Sequence, residues 1–360
     1  MSDFLIVGGG IAGISAAARL APHGKVTVLE GEDALGYHAS GRSAALFEEN
    51  YGKPSTIALN RASKDYHMQA DGGVLSPRGL LLVGSDDKTD AFEGTMQELH
   101  LHRIDVDQAR AMVPILDPAK VTMAGHHAEA WDIDTDLLLQ NYARTARRHG
   151  ADIRTRSRVT GISKSADGWA VDTAKGSHSA RILINASGAW ADEIAALAGI
   201  TPIGITPYRR SMARIPAPGG HDVGGWPMLF GPGESWYAKP DAGKLLVSPA
   251  DEDPMPPQDA WADDMVLAEG LARYEEMMTE PVTRVESNWA GLRSFAPDRQ
   301  LVIGFAPADA SFFWLAGQGG YGMQTSPAAS QLAADLIAGK APQIDTATVS
   351  ALSPVRFGRA

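Results

Sequence analysis

The sequence predicts an α/β protein in which a Rossmann-like domain is interleaved with an α+β domain that carries an antiparallel sheet. The chain opens with a β-α-β pattern of about thirty residues, the usual start of a doubly wound parallel sheet. Residues 216–260 hold many Pro, Gly and Trp residues and indicate turns and short strands instead. No low-complexity linker separates the two kinds of segment, so we expect interleaved domains.

The composition limits the classes of function. The 360 residues are 44% hydrophobic and 21% charged, which suits a globular protein of about two domains. A net charge of −11 disfavours a surface for nucleic acid or anionic membranes. The absence of cysteine excludes disulfides, thiolate catalysis and cysteine metal sites, and we expect no metal centre. With no signal peptide and no apolar run of about 18 residues, we expect a cytoplasmic protein without a membrane span.

The opening pattern consists of an apolar strand over residues 4–7, an Ala-rich helix over 11–20 and a second strand over 25–30. Further helices and strands are predicted along the rest of the chain: helices over 55–70, 105–113, 137–149 and 326–339, and strands over 79–84, 169–173, 181–186 and 312–317. The glycine-rich and charged stretch 31–52 is predicted to be a loop that contacts a ligand. We assign residues 1–80, 142–200 and 286–360 to the first domain, and residues 81–141 and 201–285 to the second.

A dinucleotide-binding motif follows the first strand. Gly8, Gly10 and Gly13 have the spacing G-x-G-x-x-G, and the helix begins at Ile11 and Ala12. The first glycine permits a tight turn, the second lets a pyrophosphate approach the backbone, and the third lets helix and strand pack closely. Glu30 ends the second strand, where its carboxylate can accept hydrogen bonds from a ribose. A purely structural turn remains the alternative.

Two later segments favour FAD over NAD. Ala186 and Gly188 follow a buried strand and bring small residues near the dinucleotide. Residues 317–326 form a second glycine loop that opens a helix, whose N-terminal N–H groups can stabilise the pyrimidine end of a reduced flavin. A plain turn before a terminal helix is the alternative for this loop. Since the chain has no cysteine to form a cysteinyl bond, we expect FAD to be bound non-covalently.

Several long runs in matching order resemble the D-amino acid oxidase-like flavoprotein superfamily, and within it the bacterial FAD-dependent D-arginine dehydrogenases. The runs are residues 36–45, 131–136, 207–211, 236–243, 289–295 and 318–322. The resemblance implies a substrate site formed by Tyr51, Arg210, Tyr237, Arg293 and Gly320, with the two tyrosines as candidate catalytic residues. Together with the glycine motifs, it implies a cofactor-binding set of Gly8, Gly10, Ile11, Ala12, Gly13, Glu30, Gly41, Arg42, Ser43, Val159, Ala186, Gly188, Gly319, Gly320, Gly322, Met323 and Gln324.

The chain departs from the arginine dehydrogenases at the side-chain end of the substrate. Leu80 stands where those enzymes carry the acid that holds a guanidinium, and Leu46 and Glu48 stand where they have histidine and threonine. We therefore expect a substrate side chain other than arginine. In those enzymes these two positions lie in a lid segment over the substrate. We expect Glu48 to be solvated there, with a cation-binding role as the alternative.

The chemistry that the resemblance implies is oxidative deamination of a D-amino acid to an imino acid and then a keto acid, by hydride transfer to flavin N5. A tyrosine or a water is the candidate proton acceptor. His38 lies in the flavin-facing loop, and the other candidate bases are expected at the surface: His100, His102, His126, His127 and His149.

Three alternatives stay open. Sarcosine oxidases carry a lysine near the flavin where this chain has Leu246, which favours a dehydrogenase, although Lys244 lies close in sequence. An oxidase of secondary or N-methyl amino acids is the second enzyme hypothesis. A nucleotide-binding sensor or a tRNA-modifying domain is the third. The electron acceptor, whether a quinone, another carrier or O₂, is left open.

Overall fold

The computed structural model describes residues 1–358, and within that range the chain forms nine α-helices and nineteen β-strands. The helices are α1 (Ile11–Leu20), α2 (Pro54–Gln69), α3 (Thr89–Glu98), α4 (Val106–Met112), α5 (Thr135–Arg148), α6 (Ala191–Leu197), α7 (Asp264–Glu275), α8 (Gly322–Ile337) and α9 (Thr346–Leu352). The strands are β1 (Ser2–Val7), β2 (Val26–Leu29), β3 (Leu46–Glu48), β4 (Leu75–Pro77), β5 (Leu80–Gly84), β6 (His102–Ile104), β7 (Met123–His127), β8 (Ala130–Ile133), β9 (Asp152–Arg154), β10 (Val159–Ser165), β11 (Gly168–Thr173), β12 (Gly176–Asn185), β13 (Thr206–Ile215), β14 (Met228–Phe230), β15 (Tyr237–Asp241), β16 (Lys244–Ser248), β17 (Ser287–Phe295), β18 (Val302–Ala306) and β19 (Asp309–Ala316).

The first sheet has a parallel centre in the order β9-β2-β1-β12-β19. Its central strands β1 and β2 are buried almost throughout. In β1, Phe4 and Ile6 belong to the core shared with α1, α5 and α8, whereas Leu5 and Val7 belong to the core on the opposite face, which includes Ile194 of α6. This two-sided burial explains why β1 is a continuous apolar run, and it confirms the predicted Rossmann-like arrangement.

The second sheet has eight strands in the order β17-β13-β16-β15-β14-β5-β7-β6. Adjacent strands in this sheet are antiparallel, except that β14 and β5 are parallel. A third, small antiparallel sheet has the order β3-β8-β4. These sheets confirm the predicted α+β part of the fold. β17 pairs with β13 in the second sheet although the sequence assigns residues 286–360 to the first domain, and the domain bounds remain a prediction.

Helix α8 begins at Gly322, four residues before the predicted start at residue 326. Pro327 lies inside it, where a proline lacks the N–H that would bond to the carbonyl of Met323. The Ser326 hydroxyl donates to that carbonyl instead, at 2.9 Å. The Met323 carbonyl therefore keeps a hydrogen-bond donor, and α8 tolerates a proline, which normally ends a helix.

Within residues 1–358, no helix is both long enough and apolar enough to cross a bilayer.

Candidate active site

Three adjoining cavities run between the first sheet and the second. The nucleotide cleft, of about 320 Å³, extends from Glu30 to Gly291 and is followed by a central cavity of about 140 Å³ and an inner cavity of about 110 Å³. Gly10, Arg42 and Gly188 line both the cleft and the central cavity. Tyr237 and Arg293 line both the central and the inner cavity. The three cavities therefore form one long channel, which leads from the glycine-rich loop after β1 to the side chains of Tyr237 and Arg293.

The glycine motif folds as the sequence predicts. Gly8 has φ +108°, and a Cβ there would lie 2.4 Å from the Ala186 carbonyl oxygen. A Cβ on Gly13 would lie 1.9 Å from the Gly8 carbonyl oxygen, so only glycine lets α1 pack on β1. Gly10 lines the channel at the N-terminus of α1, whose first turn carries no acidic residue. This end of the channel fits a pyrophosphate.

Glu30 is held at the end of β2 by two backbone amides. Its Oε2 accepts from Gly9 N at 2.6 Å and its Oε1 accepts from Glu32 N at 2.8 Å. The carboxylate lines the nucleotide cleft together with Val159. Each oxygen keeps acceptor capacity, so the group is fixed in a position that suits a ribose diol.

Small residues from two later segments line the channel opposite the first motif. Ala186 and Gly188 border the cleft and the central cavity, and Gly188 has φ +59° with open space where a Cβ would stand. Gly319, Gly322 and Met323 line the central cavity at the start of α8. Because α8 begins at Gly322, its positive N-terminal end faces this cavity, and no acidic residue in its first turn reduces that potential. Together these walls fit an extended dinucleotide with its flavin end in the central cavity.

Arg42 and Ser43 line the central cavity, as does the α1 pair Ile11 and Ala12. The Arg42 guanidinium, however, is already bonded to the carbonyls of Ala260 and Ala290, at 2.8 and 2.9 Å. Arg42 therefore ties the loop after β2 to β17 and to the segment before α7.

Two predicted cofactor residues lie behind the cavity walls. Gly41 N donates to the Gly36 carbonyl at 2.7 Å, which makes Gly41 part of a tight turn. Gln324 is buried, where its side-chain oxygen accepts from Glu48 N at 3.1 Å and its carbonyl is 2.9 Å from His67 Nε2. Both residues support the walls rather than line them.

Arg293, on β17, points between the central and the inner cavity. A Cβ on Gly320 would lie 3.0 Å from Arg293 Cζ, so glycine is what allows the loop before α8 to pass the guanidinium. Burial by itself lowers the pKa of Arg293, but the neighbouring Tyr51 and Tyr237 raise it by more, so the net pKa lies above its ordinary value. The guanidinium is therefore a permanent cation facing the channel.

Arg210, on β13, is buried and lines the central cavity. Its Nε and Nη1 have no hydrogen-bond partner. The nearest carboxylates are Glu252, 3.6 Å from Nη2, and Glu234, 3.9 Å from Nη1. Buried guanidinium N–H groups without acceptors are costly, so this side chain is poised for an anionic ligand.

Tyr51 and Tyr237 both line the inner cavity beside Arg293. Burial raises the pKa of Tyr51 well above its ordinary value, and the Glu234 carboxylate adds to the effect. The Tyr51 hydroxyl is therefore protonated near neutral pH and suits a hydrogen-bond donor better than a base. Glu234, which sequence reasoning missed, lies in the β14–β15 turn with φ +54°, and no local motif marked it.

The structure corrects the expectation for Glu48. The residue is buried, only 3% exposed, and lines the inner cavity together with Leu46 and Leu80. Its Oε2 lies 2.7 Å from His127 Nε2, so His127 is not the surface residue that the sequence suggests. His126 is likewise half-buried, while the other three histidines expected at the surface are exposed. Sequence reasoning missed this pair because its members are far apart in the chain.

The two candidate positions for a lysine near the flavin differ in exposure. The ammonium of Lys244 is 3.0 Å from Glu286 and partly exposed, whereas Leu246 is buried. The lysine that does enter the interior is Lys239, which pairs in register with Leu246. Lys239 Nζ donates to the carbonyls of Ala44 and Ala45, at 3.2 and 2.9 Å, and so fixes a wall shared by the central and inner cavities.

Comparison with known proteins agrees with a dinucleotide cofactor in this channel. The family model described as "DAO: FAD dependent oxidoreductase" matches residues 3–336. Glycine oxidase from Pseudomonas putida is 25% identical over 368 residues, covering 95% of this chain and 96% of that protein. Mitochondrial dimethylglycine dehydrogenase from Rattus norvegicus is 26% identical, over 55% of this chain and only 25% of its own length. The crystal structure of L-proline dehydrogenase from P. horikoshii is similar, with a TM-score of 0.83, 24% identity and coverage of 99% and 98%.

Proposed function

The chain belongs to the DAO family of FAD-dependent oxidoreductases, and we propose that it oxidises the C–N bond of a small amino acid, in the D configuration, as a dehydrogenase. The observation that carries the proposal is the Arg293 guanidinium, which faces both the central and the inner cavity. An amino acid whose carboxylate meets Arg293 would lie with its α-carbon beside the flavin end of the channel. The product would be an imino acid, which water hydrolyses to a keto acid and ammonia.

The residues around Arg293 supply orientation. A guanidinium can bind a carboxylate through two parallel N–H bonds, and the unpaired N–H groups of Arg210 can extend that contact. Tyr51 donates a hydrogen bond to the substrate. Bound FAD supplies the acceptor for the hydride that leaves the α-carbon. Holding the carboxylate at a fixed place is what aligns the α-hydrogen, which is the main contribution expected from the protein.

The inner cavity supports a substrate side chain other than arginine. Its walls are largely apolar, formed by Leu46, Leu80, Leu99, Met228 and Phe230. The guanidinium of arginine presents five N–H donors fixed in one plane. Although the Glu48 and Glu234 carboxylates also line the cavity, the donors that face these apolar walls would meet no acceptor. We therefore propose that medium-sized side chains are oxidised faster than that of D-arginine.

An oxidase of secondary or N-methyl amino acids is the second candidate, which the likeness to glycine oxidase and dimethylglycine dehydrogenase favours. Against it, Leu246 stands at the position where sarcosine oxidases carry a lysine, and the side chain of Lys244 pairs with Glu286. This arrangement supports a dehydrogenase that passes electrons to a carrier such as a quinone.

The test is anaerobic bleaching of the FAD absorbance with a panel of D-, L- and N-methyl amino acids. We expect D-methionine and D-norleucine to bleach the flavin faster than D-arginine, their L enantiomers and N-methyl analogues. Reoxidation by an artificial quinone should be much faster than by dissolved O₂. Faster bleaching by sarcosine or by an L-amino acid would favour the alternative function or the opposite stereochemistry.

A further inference from the structure

A buried carboxylate, that of Glu48, lines the inner cavity. Glu48 is the last residue of β3, where it pairs with Ala130 of β8, and its side chain is only 4% exposed. His127 is the last residue of β7 and pairs in register with Leu80, which lines the same cavity. The third sheet and the second sheet therefore meet at this carboxylate.

The carboxylate is only partly compensated by the protein. Glu48 Oε1 accepts from Asn50 N at 2.9 Å and Oε2 lies 2.7 Å from His127 Nε2. These bonds use two of the roughly four acceptor sites of a carboxylate. Among the described residues, His127 is the one ionisable partner within ion-pair distance of Glu48.

The neighbouring acids are different. Glu49, next in sequence, pairs with Arg61 and Lys64 at the surface, both at 3.1 Å. Glu234 also lines the inner cavity, but its side chain is 41% exposed and close to Arg210. Glu48 is therefore the acid of the inner cavity that combines burial with the absence of a lysine or arginine partner among residues 1–358.

We propose that Glu48 determines substrate specificity by binding a primary ammonium at the end of the substrate side chain. The inference rests on the proposed function, because it requires the substrate carboxylate at Arg293 and the side chain in the inner cavity. A buried carboxylate gains most from a full positive charge with N–H donors. Between Arg293 and Glu48, the apolar walls fit the methylene groups of a diamino acid.

A primary ammonium fits this place better than a guanidinium. The ammonium is compact and its donors rotate freely, whereas the five donors of a guanidinium are fixed in one plane. Glu48 offers few free acceptor sites, and the leucine walls offer none. The substrate class is therefore an α-amino acid with a short ω-amino side chain.

The experiment compares pairs of equal shape in the FAD-loaded enzyme. Ornithine is measured against norleucine, and diaminobutyrate against norvaline, each in the enantiomer that reduces the flavin faster. In at least one pair we expect kcat/KM of the ammonium member to exceed that of the alkyl member by on the order of 10- to 100-fold, the range of a charge-assisted hydrogen bond. In Glu48→Gln the ratio should fall to about one or below, whereas Glu49→Gln should leave it unchanged.

Each outcome decides the matter. An alkyl member that is equal or better in both pairs overturns the role of Glu48, and so does a Glu48→Gln enzyme that keeps the ratio. If Glu48→Gln fails to fold, the ratios of the unmodified enzyme still decide. If no amino acid reduces the flavin, the proposed function itself fails, which is distinguishable from reduction by alkyl substrates alone.

Discussion

Replacement of Arg293 by methionine removes the cation that faces the channel while keeping an unbranched side chain of similar length. Arg293 lies in β17 between Leu292 and Ser294, and two tyrosines and Gly320 line the inner cavity beside it. The Glu234 carboxylate also lines that cavity and helps to raise the pKa of Arg293, but it is partly exposed and lies near Arg210, so the substitution leaves it a cationic neighbour. The expected damage is therefore confined to substrate binding and orientation.

The size of the effect follows from the burial of the site. Removing one partner of a desolvated ion pair costs about 3–5 kcal/mol. Arg210 also lines the central cavity and has unpaired N–H groups, so it can retain part of the contact. We therefore expect the lower end, about 3 kcal/mol, or a loss in kcat/KM of roughly a hundredfold or more.

The assay is the rate of anaerobic flavin reduction as a function of amino acid concentration. Arg293→Met should keep FAD, because the walls that fit the dinucleotide, with Gly8, Gly10 and Glu30, line the nucleotide cleft, which Arg293 does not line. Arg293→Lys should recover little, since a point charge does not reproduce two parallel N–H bonds. Arg284→Met, at an exposed arginine of the same region, is the matched control and should behave like the unmodified protein. Reduction of the Arg293→Met enzyme at nearly the unmodified rate would refute the carboxylate assignment.

Three further predictions concern the cofactor and stability. Acid precipitation should release intact FAD from the yellow protein into the supernatant, and colour that remains in the pellet would indicate a covalent bond. Gly13→Ala places a Cβ against the Gly8 carbonyl and should abolish FAD retention in gel filtration, whereas Gly94→Ala, in open space on α3, should not. Burial lowers the pKa of His67 to about 4 although the Gln324 carbonyl opposes this. Because the unfolded chain binds that proton near pH 6.5, stability should be complete above that pH and fall by about 3 kcal/mol as the pH drops to about 4. Urea unfolding of His67→Phe should lack this part of the pH dependence, and an unchanged dependence would assign it to other groups.

The features that the sequence predicts well are local ones. The strand, glycine turn and helix from Phe4 to Leu20 are predictable from neighbouring residues. Gly8 and Gly13, only five positions apart, permit the turn and the close packing of α1 on β1. Arg293 and Gly320 were inferred from resemblance, and the structure brings them together at the channel. Their binding roles stay predictions.

The features that the sequence does not predict depend on distant pairing. Glu48 and His127 are 79 positions apart, and they meet only because β3, β8, β7 and β5 are neighbours across two sheets. The sequence predicts that Glu48 is solvated, because isolated glutamates are mostly exposed, yet Glu48 is buried. The burial of Lys239 is equally hidden, because its partners are distant in the chain. The Lys239 ammonium contacts the carbonyls of Ala44 and Ala45 and lies 2.9 Å from the Asp132 carboxylate.

The central claim, C–N oxidation by the FAD-loaded protein, is tested most directly by product analysis after a single anaerobic turnover. The protein is mixed with excess D-norleucine or D-ornithine, and ammonia, keto acid and reduced flavin are quantified together. The account predicts one ammonia and one keto acid for each flavin reduced, with the yield lost in step with the rate in Arg293→Met. Flavin reduction without ammonia, or reduction by a hydroxy acid but by no amino acid, would contradict it.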